Sequence, residues 1–168
     1  MNRAIKIVLA AVLALIAGSL ALASPAAAAT PNSHVGYATA TMTNVMRPAT
    51  AASPAVYGKA WSWPDLHSGD CTMFSGAKWS LYSDGTATFD GIVTSSDSGD
   101  AWLQWVHLKD ANNAEFGKLV NSYPQTSDTT EFIQGLPDDR IQYHWTAYGH
   151  FDPNWYSRIQ HVSMEYRC

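Results

Sequence analysis

An all-β domain, an antiparallel two-sheet β-sandwich of about seven strands, is predicted for residues 59–168. Three observations carry the prediction. All seven tryptophans fall between Trp61 and Trp155. Gly, Pro, Asn and Asp turn signals recur about every ten residues, and the segments between them alternate apolar with polar residues at period two. A flattened barrel is the alternative architecture. At roughly 110 residues, one domain with one core is expected.

The chain opens as an export signal. Arg3 and Lys6 form a basic n-region, Ile7 to Ala23 is an apolar and small-residue run, and Ala27-Ala28-Ala29 supplies the small residues that signal peptidase reads. The run is nearly long enough for an uncleaved anchor, but Pro25 and the alanines after it favour cleavage behind Ala29. No cysteine near that point would accept a lipid, and no twin arginine is present. Residues 30–58 are rich in Ala, Thr, Ser and Pro with little charge, and read as a disordered linker or pro-segment.

Lys78 to Phe89 is a hairpin around Asp84-Gly85. A two-residue type I′ turn would set Trp79 against Asp90 and Leu81 against Thr88, apolar against polar on both faces. A three-residue loop, Ser83-Asp84-Gly85 with Gly85 left-handed, sets Trp79 against Phe89 and Leu81 against Ala87. The second register is expected, because a one-residue slip turns every side chain to the wrong face. Ala101 to Lys109 is apolar on both sides and reads as a central strand. Asp110-Ala111-Asn112-Asn113 turns into a strand over Glu115–Val120.

Thr130–Gln134 is a short strand running into a reversal at Gly135-Leu136-Pro137-Asp138-Asp139. Leu136-Pro137 followed by Tyr143 has the pattern of a corner where a Greek-key chain changes sheets. From Ile141 to Tyr148 the alternation is the cleanest in the sequence. Asp152-Pro153 starts a short helical turn over 153–158. A closing strand from Ile159 puts Val162, Met164, Tyr166 and Cys168 on one face.

Cys71 and Cys168 are the two cysteines of the sequence. In an oxidising compartment such a pair is a disulfide rather than a thiol nucleophile or metal site. The stretches Asp70-Cys71-Thr72, Trp79 to Ala87, Asp100-Ala101-Trp102-Leu103 and Arg167-Cys168 resemble an uncharacterised family of small secreted actinobacterial proteins, a domain of unknown function. The resemblance covers about Trp61 to Cys168. It implies secretion and one compact domain, and it brings no catalytic residues with it.

Loss of Arg3 and Lys6 with the signal leaves 8 Lys+Arg against 14 Asp+Glu, a balance that argues against nucleic acid and anionic membranes as partners. A soluble, released monomer is expected. His107 and His144 are the candidate general bases, although a boundary histidine in a hydrogen bond is the commoner role. His144 and His150 lie roughly 20 Å apart on extended chain and cannot share a metal. With no His-x-x-x-His or Cys-x-x-Cys, zinc is not expected. Asp97 and Asp100 are the calcium candidates, but they lack the spacing of a known calcium loop. Glu115, Glu131 and Glu165 are the chain's glutamates, and any of them would need a close second acid for glycosidase chemistry. No cofactor is implied.

What remains is an aromatic surplus. Trp61, Trp63, Tyr148, Trp155 and Tyr156 are the candidate ligand-binding residues, since exposed flat rings beside Asp, Asn and Gln hold sugars in many secreted modules. The competing reading has them capping the ends of the sandwich. The leading functional expectation is a secreted, non-catalytic binding domain for an extracellular glycan or cell-wall polymer. A second is an inhibitor or protein-interaction domain using the loop Tyr123-Pro124-Gln125-Thr126-Ser127. A third is a small secreted hydrolase with His107 or His144 as base. The mature chain recovered from culture medium is predicted to begin at Thr30, which N-terminal sequencing or intact mass checks; retention of residues 1–29 would contradict it.

Overall fold

The computed structural model describes residues 40–168, so the expected signal peptide at 1–29 lies outside the described residues. Twelve strands occur: β1 Thr41–Arg47, β2 Val56–Ser62, β3 Leu66–Ser68, β4 Cys71–Met73, β5 Lys78–Tyr82, β6 Thr86–Ser95, β7 Asp100–Lys109, β8 Glu115–Lys118, β9 Val120–Asn121, β10 Phe132–Leu136, β11 Tyr143–His150 and β12 His161–Arg167. One 3-10 turn, Pro153–Trp155, follows an Asp152 cap with Pro153 at its start.

The strands form two antiparallel sheets. The larger has eight strands ordered β1-β2-β5-β6-β11-β9, with β3 and β4 attached through β6. The smaller has four, β10-β7-β12 with β8 also on β7. The sheets are not closed into a barrel. The strand count exceeds the expected seven because β3, β4, β8 and β9 are two to four residues long, too short to display a period.

The hairpin register follows the facial argument: Trp79 pairs with Phe89 and Leu81 with Ala87. Gly85 sits at φ 83°, and a Cβ there would lie 2.6 Å from the Phe151 carbonyl oxygen. Only glycine fits that turn without strain. The register sends Trp61, Trp79 and Phe89 in one row onto the inner face. Trp79 meets Phe132 of the smaller sheet edge-on at 4.8 Å, Phe89 meets Trp145 at 4.8 Å, and Trp102 stacks on Tyr166 at 5.2 Å. Truncating a buried aromatic of this kind typically costs about 3–5 kcal/mol. The indole N–H groups of Trp63, Trp79 and Trp102 and the Gln104 amide find no protein partner, so aromatic area outweighs hydrogen bonding in this core.

β7 is the central strand of the smaller sheet. Its Trp102, Val106 and Leu108 are fully buried, while Leu103 and His107 on the opposite face are half-buried. The sheet change occurs where Leu136-Pro137 places it: Tyr143 Oη accepts from the Asp138 N–H at 2.9 Å and donates back to the Asp138 carbonyl at 3.3 Å. That pair of bonds turns the chain from β10 in the smaller sheet to β11 in the larger.

The stretch expected to be linker differs in part. Residues 30–39 lie outside the described residues, but Thr41–Arg47 is β1, paired with β2 along its whole length. The smaller sheet has half as many strands and does not cover this edge, so Met42 and Met46 are 44% and 59% exposed. A strand that buries so little has no apolar period to read. β12 begins at His161 rather than Ile159, which instead completes the 3-10 turn by donating its N–H to the Trp155 carbonyl.

Cys71 and Cys168 form a disulfide with Cα atoms 5.9 Å apart. It joins β4 of the larger sheet to the residue after β12 of the smaller, and the Cys168 N–H donates to Ser68 Oγ beside it. The bridge therefore clamps one sheet to the other. Reduction is predicted to lower stability by about 2–5 kcal/mol, seen as a drop in the urea midpoint; an unchanged midpoint would contradict the clamp.

Candidate functional site

β11 is paired to β6 over all eight of its residues, from Tyr143 to His150. On its other side, Gly149 and His150 alone meet β9. The direction of the backbone groups follows from two bonds. Phe151 N–H donates to the Gly85 carbonyl on the β6 side, and the Tyr148 carbonyl accepts from Ser122 N–H on the other. Backbone groups alternate along a strand, so the N–H and C=O of His144 and Thr146 also point away from β6. Among the described residues no strand covers that stretch of edge.

A loop, residues 122–130, lies against this edge and is held by its own polar groups. The Asn121 side chain, 9% exposed, donates to the Glu131 carbonyl at 2.8 Å and accepts from Tyr123 N–H at 2.9 Å. Gln125 Nε2 donates to the Ile133 carbonyl, and Thr126 Oγ1 donates to Glu131 Oε2. Asp128 accepts from the N–H and hydroxyl of Thr130 and, at 2.9 Å, from the Trp105 indole.

Between loop and edge is an open cleft of about 100 Å³. Sites that enclose a whole drug-sized ligand run to roughly 300–1,000 Å³, so this one admits a single ring or substituent. Half-buried Ile133 and Ala147 supply apolar surface over the buried rings of Phe132 and Trp145; Asn121, Gln125 and Thr146 supply polar groups, and no charged residue among those described lines it. Tyr123 and Tyr148 stand at the rim, 73% and 51% exposed, with ring centroids 6.3 Å apart and planes at 87°. Such a corner presents one ring face and one ring edge to a bound molecule.

The five aromatic candidates do not form one surface. Trp61 and Trp63 are each 2% exposed; both turn inward into the core, which leaves no ring face for stacking and corrects their expected placement at the surface. Trp155 packs on the chain at Gly117 and meets Phe116 edge-on at 5.8 Å, half-buried against the core. Tyr156 is half-buried beside the Lys59 ammonium, which is 5.2 Å from its ring and donates to the Ile159 carbonyl. Burial pushes the Tyr156 hydroxyl up and the Lys59 ammonium down from their ordinary pKa values. Tyr148 is the one candidate at an open cleft. Its neighbour Tyr123 carried a sequence signal, a Tyr-Pro step in a polar loop, that spacing could not connect to Tyr148.

His107 lies on the outer face of the smaller sheet, with Nδ1 2.9 Å from Glu115 and Nε2 3.4 Å from Glu165. The imidazole stands between the two carboxylates and fills the space a scissile bond would need. Its two partners are on opposite ring nitrogens, so the three groups do not converge on one point. Glu131 is placed apart, 3.7 Å from Arg167, whose guanidinium lies over Trp105. His144, 3.1 Å from Asp90, is on the outer face of the larger sheet, the far side of the sandwich from His107. The two histidines therefore cannot act together.

Asp97 and Asp100 meet through Ser95 rather than through their carboxylates: Ser95 Oγ donates to Asp100 Oδ2 and accepts from the Asp97 N–H. Among the described residues, the group of ligand-type atoms within 4.8 Å of one another is Cys71, Cys168 and Asp100. Both sulfurs of that group are in the disulfide.

The Asp128 carboxyl is held below the ordinary aspartate range, first by the Thr130 hydroxyl and then by the Trp105 indole. A carboxyl lowered in the folded state contributes stability that is present above its unfolded pKa of about 3.9 and lost as pH falls through its folded value. Asp110 and Asp138 are lowered as well, chiefly by the Ala114 N–H and the Arg140 side chain respectively. The urea midpoint is predicted to be flat from neutral pH to about pH 5 in this contribution and to decline below about pH 4. Asp128→Asn should lower it at neutral pH, with the gap to the unaltered protein narrowing in acid; a gap independent of pH would contradict the assignment.

A family model described as "Family of unknown function (DUF6294)" matches residues 78–168. The match contains β5 through β12, the cleft and Cys168, and begins after Cys71. No curated protein matches the chain, and no solved structure matches it.

Proposed function

We propose that this chain, which belongs to the DUF6294 family of unknown function, is a non-catalytic binding domain for an extracellular glycan or cell-wall polymer, held at the Tyr123/Tyr148 cleft. One observation carries the reading: two tyrosines set at right angles flank a small uncharged cleft that offers amide and hydroxyl groups. A pyranose ring has an apolar face that an aromatic ring covers and equatorial hydroxyls that Gln, Thr and Tyr bond. Little reorganisation is needed on binding, because the hydrogen bonds of Asn121, Gln125, Thr126 and Asp128 already order the loop, which lowers the entropic cost. An extracellular ligand presumes export through the segment 1–29, and secretion is part of the proposal.

The same loop supports a second reading. Residues 122–129 are continuously exposed yet tied to the body of the domain, the form a rigid loop takes when it enters a partner's groove. An inhibitor or interaction domain would use Tyr123-Pro124 as its tip. Inhibition of a secreted protease that Tyr123→Ala abolishes, with no response to any glycan, would favour this second reading over the first.

Tyr148→Ala is predicted to weaken glycan binding roughly tenfold, about 1.4 kcal/mol, with thermal stability unchanged because the ring is half exposed. Trp145 at the cleft wall supplies a fluorescence signal for the titration. A panel of soluble and insoluble glycans that neither shifts this fluorescence nor retains the protein would sink the proposal.

A further inference from the structure

We infer that the glycan held at this cleft is an N-acetylated amino sugar, its acetamido group bridging the open edge of β11 and the side chain of Gln125. The inference rests on the glycan reading and names the sugar class within it. A secondary amide in its trans form carries C=O and N–H on opposite sides, so it is recognised by two walls rather than one. The cleft has two such walls. On one, the Thr146 N–H points outward from an edge that β9 does not reach. On the other, Gln125 is held through its Nε2, which donates to the Ile133 carbonyl at 3.3 Å. That bond sets the amide orientation and turns Oε1 into the remaining acceptor. The acetamido carbonyl accepts from Thr146, and the acetamido N–H donates to Gln125 Oε1.

Asn121 is not a competitor for this role, since both its amide atoms are already committed to Glu131 and Tyr123. The methyl group finds the half-buried Ile133 and Ala147 at the cleft, and the ring lies against Tyr148. Size agrees: about 100 Å³ accepts an acetamido group and the adjoining part of one ring but not a chain of them. Charge agrees as well, because a wholly uncharged lining leaves a carboxylate, phosphate or free ammonium on the sugar desolvated without a partner. The open edge presents two residues, His144 and Thr146, which is too short to add a strand of ordinary length. An extended peptide is therefore the disfavoured occupant.

Calorimetric titration of the full mature chain with N-acetylglucosamine tetramer, its fully de-N-acetylated counterpart and the glucose tetramer tests the assignment. The N-acetylated oligomer is expected to bind at least tenfold more tightly than either of the others. Gln125→Leu should erase that preference. Thr146→Pro should do the same: it removes an outward N–H that takes no part in the ladder to β6, a position where an edge strand tolerates proline. If that variant does not fold, Gln125→Leu still decides. Equal binding of the N-acetylated and glucose tetramers would overturn the inference and leave the glycan reading standing. No binding of any glycan across the wider panel would overturn both, and binding of an acetyl-capped threonine-valine hexapeptide in preference to the sugars would assign the edge to strand addition instead.

Discussion

The contact on which the rest of this structure depends is Trp79 against Phe132. It is the point at which the inner face of the larger sheet meets the first residue of β10 in the smaller one. Trp79 is there because the β5–β6 hairpin closes over three residues rather than two, and the hairpin closes that way because Gly85 takes a left-handed conformation under the Phe151 carbonyl. A shift of one residue would set Trp79 against Asp90, and Trp79 and Phe89 could no longer share the inner face. The row of rings that meets Phe132 would be broken. One backbone angle at residue 85 thus governs a packing contact that reaches the wall of the cleft, which Phe132 also lines.

Unequal sheet width explains much of the surface. Eight strands over four leave the β1 margin uncovered, and the two sheets part at the other margin where β9 stops short along β11. The cleft is that parting. Covalent and polar ties at one end of the sandwich hold together the two sheets that form it. The Tyr143 corner fixes the turn from β10 into β11, and the disulfide holds β12 of the smaller sheet to β4 of the larger. Toward the other end, the loop 122–130 is set by buried Asn121 and by the Asp128 bond to Trp105. The cleft is thus ordered by contacts of the fold itself.

Histidine–carboxylate contacts fall on both sheets, and Asp90 stands in register with Thr146 at the cleft. On the smaller sheet and its flank, His107 is engaged with Glu115 and Glu165, and Glu131 separately with Arg167. Asp90 and His144 pair on the opposite side of the sandwich. His107 has a carboxylate at each ring nitrogen, whereas His144 and Asp90 are both exposed on the outer face of the larger sheet. No Asp, Glu, Lys, Arg or His among the described residues lines the cleft itself.

The sequence by itself determined the fold class, the hairpin register, the central place of β7 and the corner at Pro137–Tyr143, because each rests on a local period, a turn residue or a pairing a few residues away. The Cys71–Cys168 bridge was legible from the count of two. β1 was not, since an edge strand that buries almost nothing carries no periodic signal. Nor was the burial of Trp61 and Trp63, because alternate residues on extended chain share a face whether that face meets solvent or a second sheet. The cleft belongs entirely to tertiary structure: Tyr123 and Tyr148 are brought to 6.3 Å across 25 positions of sequence, and the outward Thr146 N–H is left without a strand partner because β9 ends after two residues. Which backbone groups remain open on a strand depends on its neighbours, and those neighbours are chosen by how two sheets of unequal width pack.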